Sequence, residues 1–111
     1  MEKNMFARMN EGRLILEHVI EYEDEDNELI TTYILDEENT DKIKKIIPFD
    51  ENDPGKMLFQ TIRSILDFEE TCIMNGIRFT WSEQWDYPVR MPKTKHGTEK
   101  DCFTARHMNG Q

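Results

Sequence analysis

The sequence contains little cysteine, and its two cysteines do not form a recognisable metal or disulfide motif. Cys72 and Cys102 are the only cysteines among 111 residues, and no CxxC is present. In a reducing compartment we expect both to be free thiols. The fold must therefore be stabilised by burial of apolar side chains, and the length is sufficient for one core.

The chain also lacks a long run of apolar residues. No stretch approaches the about 20 apolar residues of a membrane-spanning helix. The first residues, Met1 to Met5, are not followed by the hydrophobic segment of a signal peptide. We therefore expect a cytoplasmic protein without a membrane partner. With 6 Phe, 3 Tyr and 2 Trp, the composition is not that of a disordered chain.

Positive charge is scarce and unevenly placed. There are 14 Lys and Arg residues against 23 Asp and Glu, which gives a net charge of -9. The segment from Arg90 to the C-terminus carries a net +3, so the preceding part carries -12. A phosphate backbone is bound by clustered Lys and Arg. We therefore expect no direct contact with nucleic acid.

Two segments alternate in the way that half-buried strands do. The first segment is Arg13–Tyr22. One face of it is formed by Leu14, Leu16 and His18 among others, and the residues between them point to the other face. A second segment, Leu29–Leu35, is rich in residues that favour extended structure. Because an acidic run separates them, the pair predicts an antiparallel hairpin with a solvated loop. A further strand is predicted over 77–81, and residues 1–12 are either a short edge strand or a docked arm.

The clearest helical signal begins after Asp53, a good N-cap, with Pro54 at the first helical position. Apolar residues then recur at helical spacing as far as Asn75-Gly76, a typical C-terminal stop. A short helix is predicted over 40–47. Together these elements predict a small α+β fold with an antiparallel sheet of three to four strands and one main helix, about 54–75. We expect one domain over 1–92 and a basic, mobile C-terminal tail over 93–111.

Glu69 is unusual because helical geometry places it in the middle of the apolar face of the main helix. Burial of a carboxylate raises its pKa, which is how general acids and bases are tuned. His18, on the apolar side of the first predicted strand, is a candidate partner. The alternative is structural: Glu69 bonds Arg78 or a backbone amide near the helix end. No nucleophile, metal set or glycine-rich loop accompanies the pair, which favours the structural alternative and a protein that is not an enzyme.

Metal binding is not expected. His96, Cys102 and His107, with Cys72 as a fourth ligand, could bind zinc by residue type, but their spacing differs from that of common zinc modules. Asp24, Asp26 and Glu28 alternate as in some calcium loops but lack the glycine and distal glutamate of an EF-hand. We expect no metal and no other cofactor.

Two groups of residues are candidates for partner binding. An acidic group occupies the predicted hairpin loop. An aromatic group lies beside Arg90 and resembles a protein-binding hot spot, although the alternative, that these aromatic residues are core residues closing over the sheet, is favoured. The candidate partner-binding residues are Glu23, Asp24, Glu25, Asp26, Glu28, Trp81, Trp85 and Tyr87.

These features predict a small acidic, non-enzymatic binding module that engages a basic surface of a protein partner. Its finer form is an inhibitor that occludes a nucleic-acid-binding site, as small acidic proteins of phages and mobile elements do; that comparison is by class alone. One alternative is a small enzyme or ligand-binding domain that uses Glu69 and His18. Another is a structural subunit of a larger assembly or homodimer, with the basic end of one copy on the acidic surface of another.

Overall fold

The fold is a five-stranded antiparallel sheet with three helices inserted between the third and fourth strands. A computed structural model describes residues 4–22, 27–86 and 94–100. The strands follow one another across the sheet in chain order. The predicted α+β fold is confirmed, with five strands and three helices among the described residues. The elements are β1 (Met5–Asn10), β2 (Arg13–Tyr22), β3 (Asn27–Leu35), α1 (Glu37–Ile46), α2 (Pro54–Thr61), α3 (Ile65–Met74), β4 (Thr80–Asp86) and β5 (Thr94–Thr98).

β1 and β2 are joined by a tight turn of two residues. Glu11 has φ 54° and Gly12 has φ 79°. Positive φ at both central residues is the geometry of a turn whose twist matches that of the flanking strands. This hairpin makes β1 a true strand at the sheet edge, which was one of the two alternatives for residues 1–12.

The predicted hairpin of β2 and β3 is confirmed, with Leu16 opposite Tyr33 and His18 opposite Thr31. Side chains alternate between two faces. On the helix-covered face, Leu14, Leu16, Tyr33 and Leu35 are buried in the core cluster. The other face, which we call the outer face, includes Phe6, Ile15, Glu17, Val19, Glu21, Glu28, Ile30, Thr32 and Ile34, none of which belongs to that cluster or packs against it.

Helix α1 begins three residues earlier than the predicted helix over 40–47. Asp36 is its N-cap, and its carboxylate accepts a hydrogen bond from the backbone N–H of Asn39 at 2.9 Å. Thr40, at the start of the predicted helix, lies inside α1 and has another role. Its hydroxyl accepts from the N–H of Leu14 at 2.9 Å and donates to the carbonyl of Leu35 at 3.1 Å. The side chain thus bridges the last backbone pair of β2 and β3 and fixes α1 to the end of the sheet.

The predicted main helix over 54–75 is divided in two. Pro54 is at the first position of α2, but Ile62 has an extended backbone with φ -94° and ψ 106°. Ser64 then caps α3, and its hydroxyl accepts from the N–H of Asp67 at 3.1 Å. Ile62, at the break between the two helices, is buried with 1% of its surface exposed. The apolar pattern of the sequence therefore continues across the break, although the helix does not. The C-terminal stop is confirmed, with Asn75 as C-cap and Gly76 at φ 67°.

The C-terminal part of the sheet lies later in the chain than predicted. Ile77 and Phe79 are buried, but β4 itself begins at Thr80 and continues to Asp86, beyond the strand predicted over 77–81. Residues 94–98, part of the predicted tail, form β5 and pair with β4. Residues 87–93 and 101–111 lie outside the described residues. None of the described helices has the length and apolar character needed to cross a membrane.

Candidate functional site

The buried carboxylate of Glu69 forms a hydrogen bond with a tyrosine of the sheet. Glu69 lies on α3 with 6% of its surface exposed, and the hydroxyl of Tyr33 donates to its Oε2 at 2.7 Å. Tyr33 belongs to β3 and is 4% exposed. The bond therefore joins helix and sheet inside the core. The expected burial of Glu69 is confirmed; the Tyr33 hydroxyl of the sheet donates to it, whereas Arg78 Nε donates to Glu99.

Aromatic rings surround this hydrogen bond. The Tyr33 ring meets Phe68 and Phe79 edge-on, with centroids 5.5 and 5.4 Å apart. Phe68 and Phe79 are themselves 5.7 Å apart. A hydrogen bond in such a low-dielectric setting is strong, and the same setting makes its loss costly. A carboxylate that accepts a hydrogen bond among packed aromatic rings is suited to a structural role.

His18, the candidate partner of Glu69, lies two residues beyond Leu16 on the helix-covered face of β2. It is half-buried, and burial lowers its pKa below the ordinary value of 6.5. A neutral imidazole is therefore favoured at neutral pH. His18 and Glu69 lie on different elements, β2 and α3, and the Tyr33 hydroxyl donates to the Glu69 carboxylate.

The lowered pKa of His18 predicts a pH-dependent stability. In the unfolded chain the imidazole takes up a proton near pH 6.5, whereas in the folded protein it does so only at lower pH. The unfolded state therefore binds more protons in this window, and the free energy of unfolding should fall as the pH drops below about 6.5. His18→Gln should flatten that part of the curve, as measured by urea denaturation on either side of this pH. Equal slopes for both proteins would contradict the assignment.

Of the residues considered for zinc, Cys72 is a buried thiol on α3. Burial, and secondarily the negative charge of Glu99, raises its pKa to about 12. A thiol held in its protonated form is a poor metal ligand, because the thiolate is the species that binds. His96 lies in β5 opposite Ser82, whereas Cys102 and His107 are outside the described residues. The described ranges contain no group of three or more potential ligands placed to hold a metal ion.

A charged cleft at the start of α1 was not anticipated from the sequence. It has a volume of about 420 Å³, and Arg13, Asp36, Arg78 and Glu99 are among its lining residues. Arg78 Nε donates to Glu99 Oε1 at 3.2 Å, and the N–H of Arg78 donates to Asn39 Oδ1 at 2.8 Å. Hydrogen bonds from Asn39 lower the pKa of Asp36. The Asp36-x-x-Asn39 spacing was a sequence signal for the helix cap. The contribution of Glu99 to the cleft could not be expected, because this residue belonged to the predicted C-terminal tail.

The aromatic candidates have different positions. Trp81 lies opposite Tyr33 in the sheet and packs against the core cluster, and its indole N–H donates to the Thr98 carbonyl at 2.8 Å. This contact favours the core alternative for Trp81. Trp85 occupies the position opposite Leu29 in β4. Tyr87 lies outside the described residues.

Acidic residues are aligned across three strands at one end of the sheet. Glu21 is directly opposite Glu28, and Asp86 occupies the position opposite Glu28 on the other side. We call these three residues the acidic row. Glu21 is exposed and Glu28 is half-buried. Tyr22 and Asn27, which flank the Glu23–Asp26 run in the chain, are opposite each other at the same end; Glu23–Asp26 itself is outside the described residues.

Comparison of the chain with protein-family models, with curated proteins and with solved structures finds no match in any of the three.

Proposed function

We propose that this protein is a non-enzymatic binding module that engages a basic surface of a protein partner through the acidic row. The acidic row supports this proposal because its like charges should lower the stability of the isolated protein. Like charges directly opposite each other on neighbouring strands destabilise a sheet. The N–H of Val19 bonds Asn4 of β1, so the backbone groups of Val19 and of Glu21, two residues on, face away from β3. Glu21 and Glu28 are therefore a non-hydrogen-bonded pair, the closer type, in which Cα atoms are typically about 4.5 Å apart. Cations of a partner would offset this repulsion.

Apolar residues next to the row support a protein as the partner. Val19 and Ile30 are opposite each other on the outer face, two residues along each strand from Glu21 and Glu28, and both are half-buried. Ile34 lies further along the same face of β3 and is also half-buried. A surface that combines an apolar centre with a charged border is typical of protein interfaces. Electrostatic attraction would then act mainly on the rate of encounter.

The proposal is tested first by identifying the partner and then by measuring its association rate. Proteins captured from host lysate at low salt and released at high salt supply the candidates. For a candidate, we expect Glu21→Gln with Glu28→Gln to slow association about tenfold at low ionic strength and to flatten its salt dependence. The dissociation rate should change less. Replacing Glu23–Asp26 by Gln and Asn should act in the same direction.

A matched control has the same change of charge elsewhere. Asp41 and Glu70 are exposed residues of α1 and α3, and Asp41→Asn with Glu70→Gln should leave the association curve close to that of the wild type. If both double variants slow association equally, general net charge is responsible and the acidic row is not the binding site.

The finer form of the proposal, occlusion of a nucleic-acid-binding site, has a separate test. Duplex DNA should displace the protein from the captured partner, because carboxylates and phosphates would compete for the same cations. A partner that binds DNA and this protein together would contradict occlusion while leaving the binding proposal intact.

A further inference from the structure

β1 is an edge strand whose outward backbone groups can be identified from its pairing. Asn4 and Val19 are opposite each other, and the N–H of Val19 donates to the Asn4 carbonyl at 2.9 Å. Hydrogen-bonded and non-hydrogen-bonded pairs alternate along an antiparallel ladder. Phe6 and Arg8 therefore bond β2, whereas the N–H and C=O groups of Met5, Ala7 and Met9 point away from the sheet.

No residue in the described part of the chain pairs with these outward groups. Sheet edges are usually protected by proline, by bulges or by several charged residues. The sequence of β1, MFARMN, has no proline and a single charge, Arg8, and its pairing with β2 is continuous. Phe6 is 54% exposed on the outer face beside this edge. The edge is thus able to accept another strand.

A second copy of the chain fits this edge in one register better than in the others. Because the outward groups lie on alternate residues, antiparallel registers differ in steps of two. With the two-fold axis at Ala7, Met5 is opposite Met9 of the partner subunit, and Phe6 is opposite Arg8 of the partner subunit. Each arginine then lies next to an exposed aromatic ring, a favourable contact made twice. With the axis moved to Arg8, Arg8 is instead opposite Arg8 of the partner subunit. With the axis moved to Phe6, fewer residues of the two β1 strands are paired.

The surroundings of β1 are compatible with an incoming strand. A cleft of about 380 Å³ lies between the strand and α2, lined by Met5, Ala7, Gly55 and Phe59 among others. It leaves space on the helix-covered side of the edge. β1 has no acidic residue, so pairing here does not bring two acidic strands together. Edge pairing about a two-fold axis is a closed arrangement that adds no further copies.

We propose that the protein forms a two-fold dimer in which the β1 strands of two copies pair antiparallel and join the two sheets. This inference is independent of the acidic row. In sedimentation equilibrium over a wide range of concentration, we expect a monomer–dimer equilibrium for the wild-type chain. Arg8→Glu should raise the dimer dissociation constant about tenfold or more, because it removes both arginine–aromatic contacts. Arg63→Glu, at an exposed site between α2 and α3, has the same change of charge and should leave the constant near that of the wild type.

Ala7→Pro tests the backbone directly. The N–H of Ala7 is not used by β2, so proline removes no bond of the monomer ladder, and proline is tolerated at such edge positions. The variant should melt close to the wild type and sediment as a monomer. If this variant does not fold, amide hydrogen exchange of the wild-type protein provides a second test. In the wild type, the Ala7 amide should become protected as concentration rises, whereas the Arg8 amide should be protected throughout.

Two results would overturn the proposal. One is a chain that sediments as a monomer at every concentration. The other is a dimer in which the Ala7 amide exchanges as rapidly as an exposed amide, because the contact would then lie elsewhere.

Discussion

Replacement of Ile62 by aspartate is expected to unfold the protein. Ile62 is 1% exposed and belongs to the core cluster at the break between α2 and α3. A carboxylate there would lose its hydration without gaining a compensating partner, at a cost of about 4 kcal/mol or more. Domains of this size are typically stable by about 5–15 kcal/mol, so a loss of this size or larger removes most of the stability of a domain near the lower end of that range. Loss of the cooperative melt in far-ultraviolet circular dichroism is the measurement.

Arg63→Asp is the matched control, because Arg63 is the next residue and is exposed. Its effect should stay within about 0.5 kcal/mol, as for ordinary surface substitutions. A wild-type melt for Ile62→Asp would show that the helices do not pack on the sheet as described.

Replacement of Glu69 by alanine is expected to cost about 3 kcal/mol. It removes the acceptor of the Tyr33 hydroxyl and leaves space at a site with 6% exposure. Glu69→Gln retains an oxygen acceptor and should cost less. Urea denaturation of both variants gives the difference in free energy of unfolding.

The neighbouring residue supplies the control for this second prediction. Glu70 is exposed, so Glu70→Ala should change the stability by no more than about 0.5 kcal/mol. If Glu69→Gln instead abolished partner binding or a catalytic turnover while its melt stayed unchanged, Glu69 would be functional rather than structural.

The strand pattern could be predicted because burial on one face imposes an alternation on the sequence. β2 begins and ends at the expected residues, Arg13 and Tyr22. The division between α2 and α3 could not be predicted from periodicity, since the apolar spacing passes through Ile62 without a change. Ser64, followed three residues later by Asp67, was the local signal for a new helix start.

The candidate site was predictable only in part. The helical position of Glu69 correctly predicted its burial, because burial follows from the spacing of apolar residues on the same helix. Its hydrogen-bond partner, Tyr33, is 36 residues away in sequence, and pairing at that separation depends on tertiary packing. The acidic row also requires the strand register, since Glu28 and Asp86 are adjacent only after β3 and β4 pair.

The position of the helices in the chain has a consequence for the folding pathway. β1, β2 and β3 are consecutive, so their contacts need only local turns. The pairing of β3 with β4, in contrast, must bring together the ends of the whole segment 36–79. Closing a flexible loop of this length costs ~3 kcal/mol of chain entropy, which the pairing of β3 with β4 and the packing of the helices must offset together. The three-stranded meander, whose closure involves only short loops, can therefore form before β4 docks.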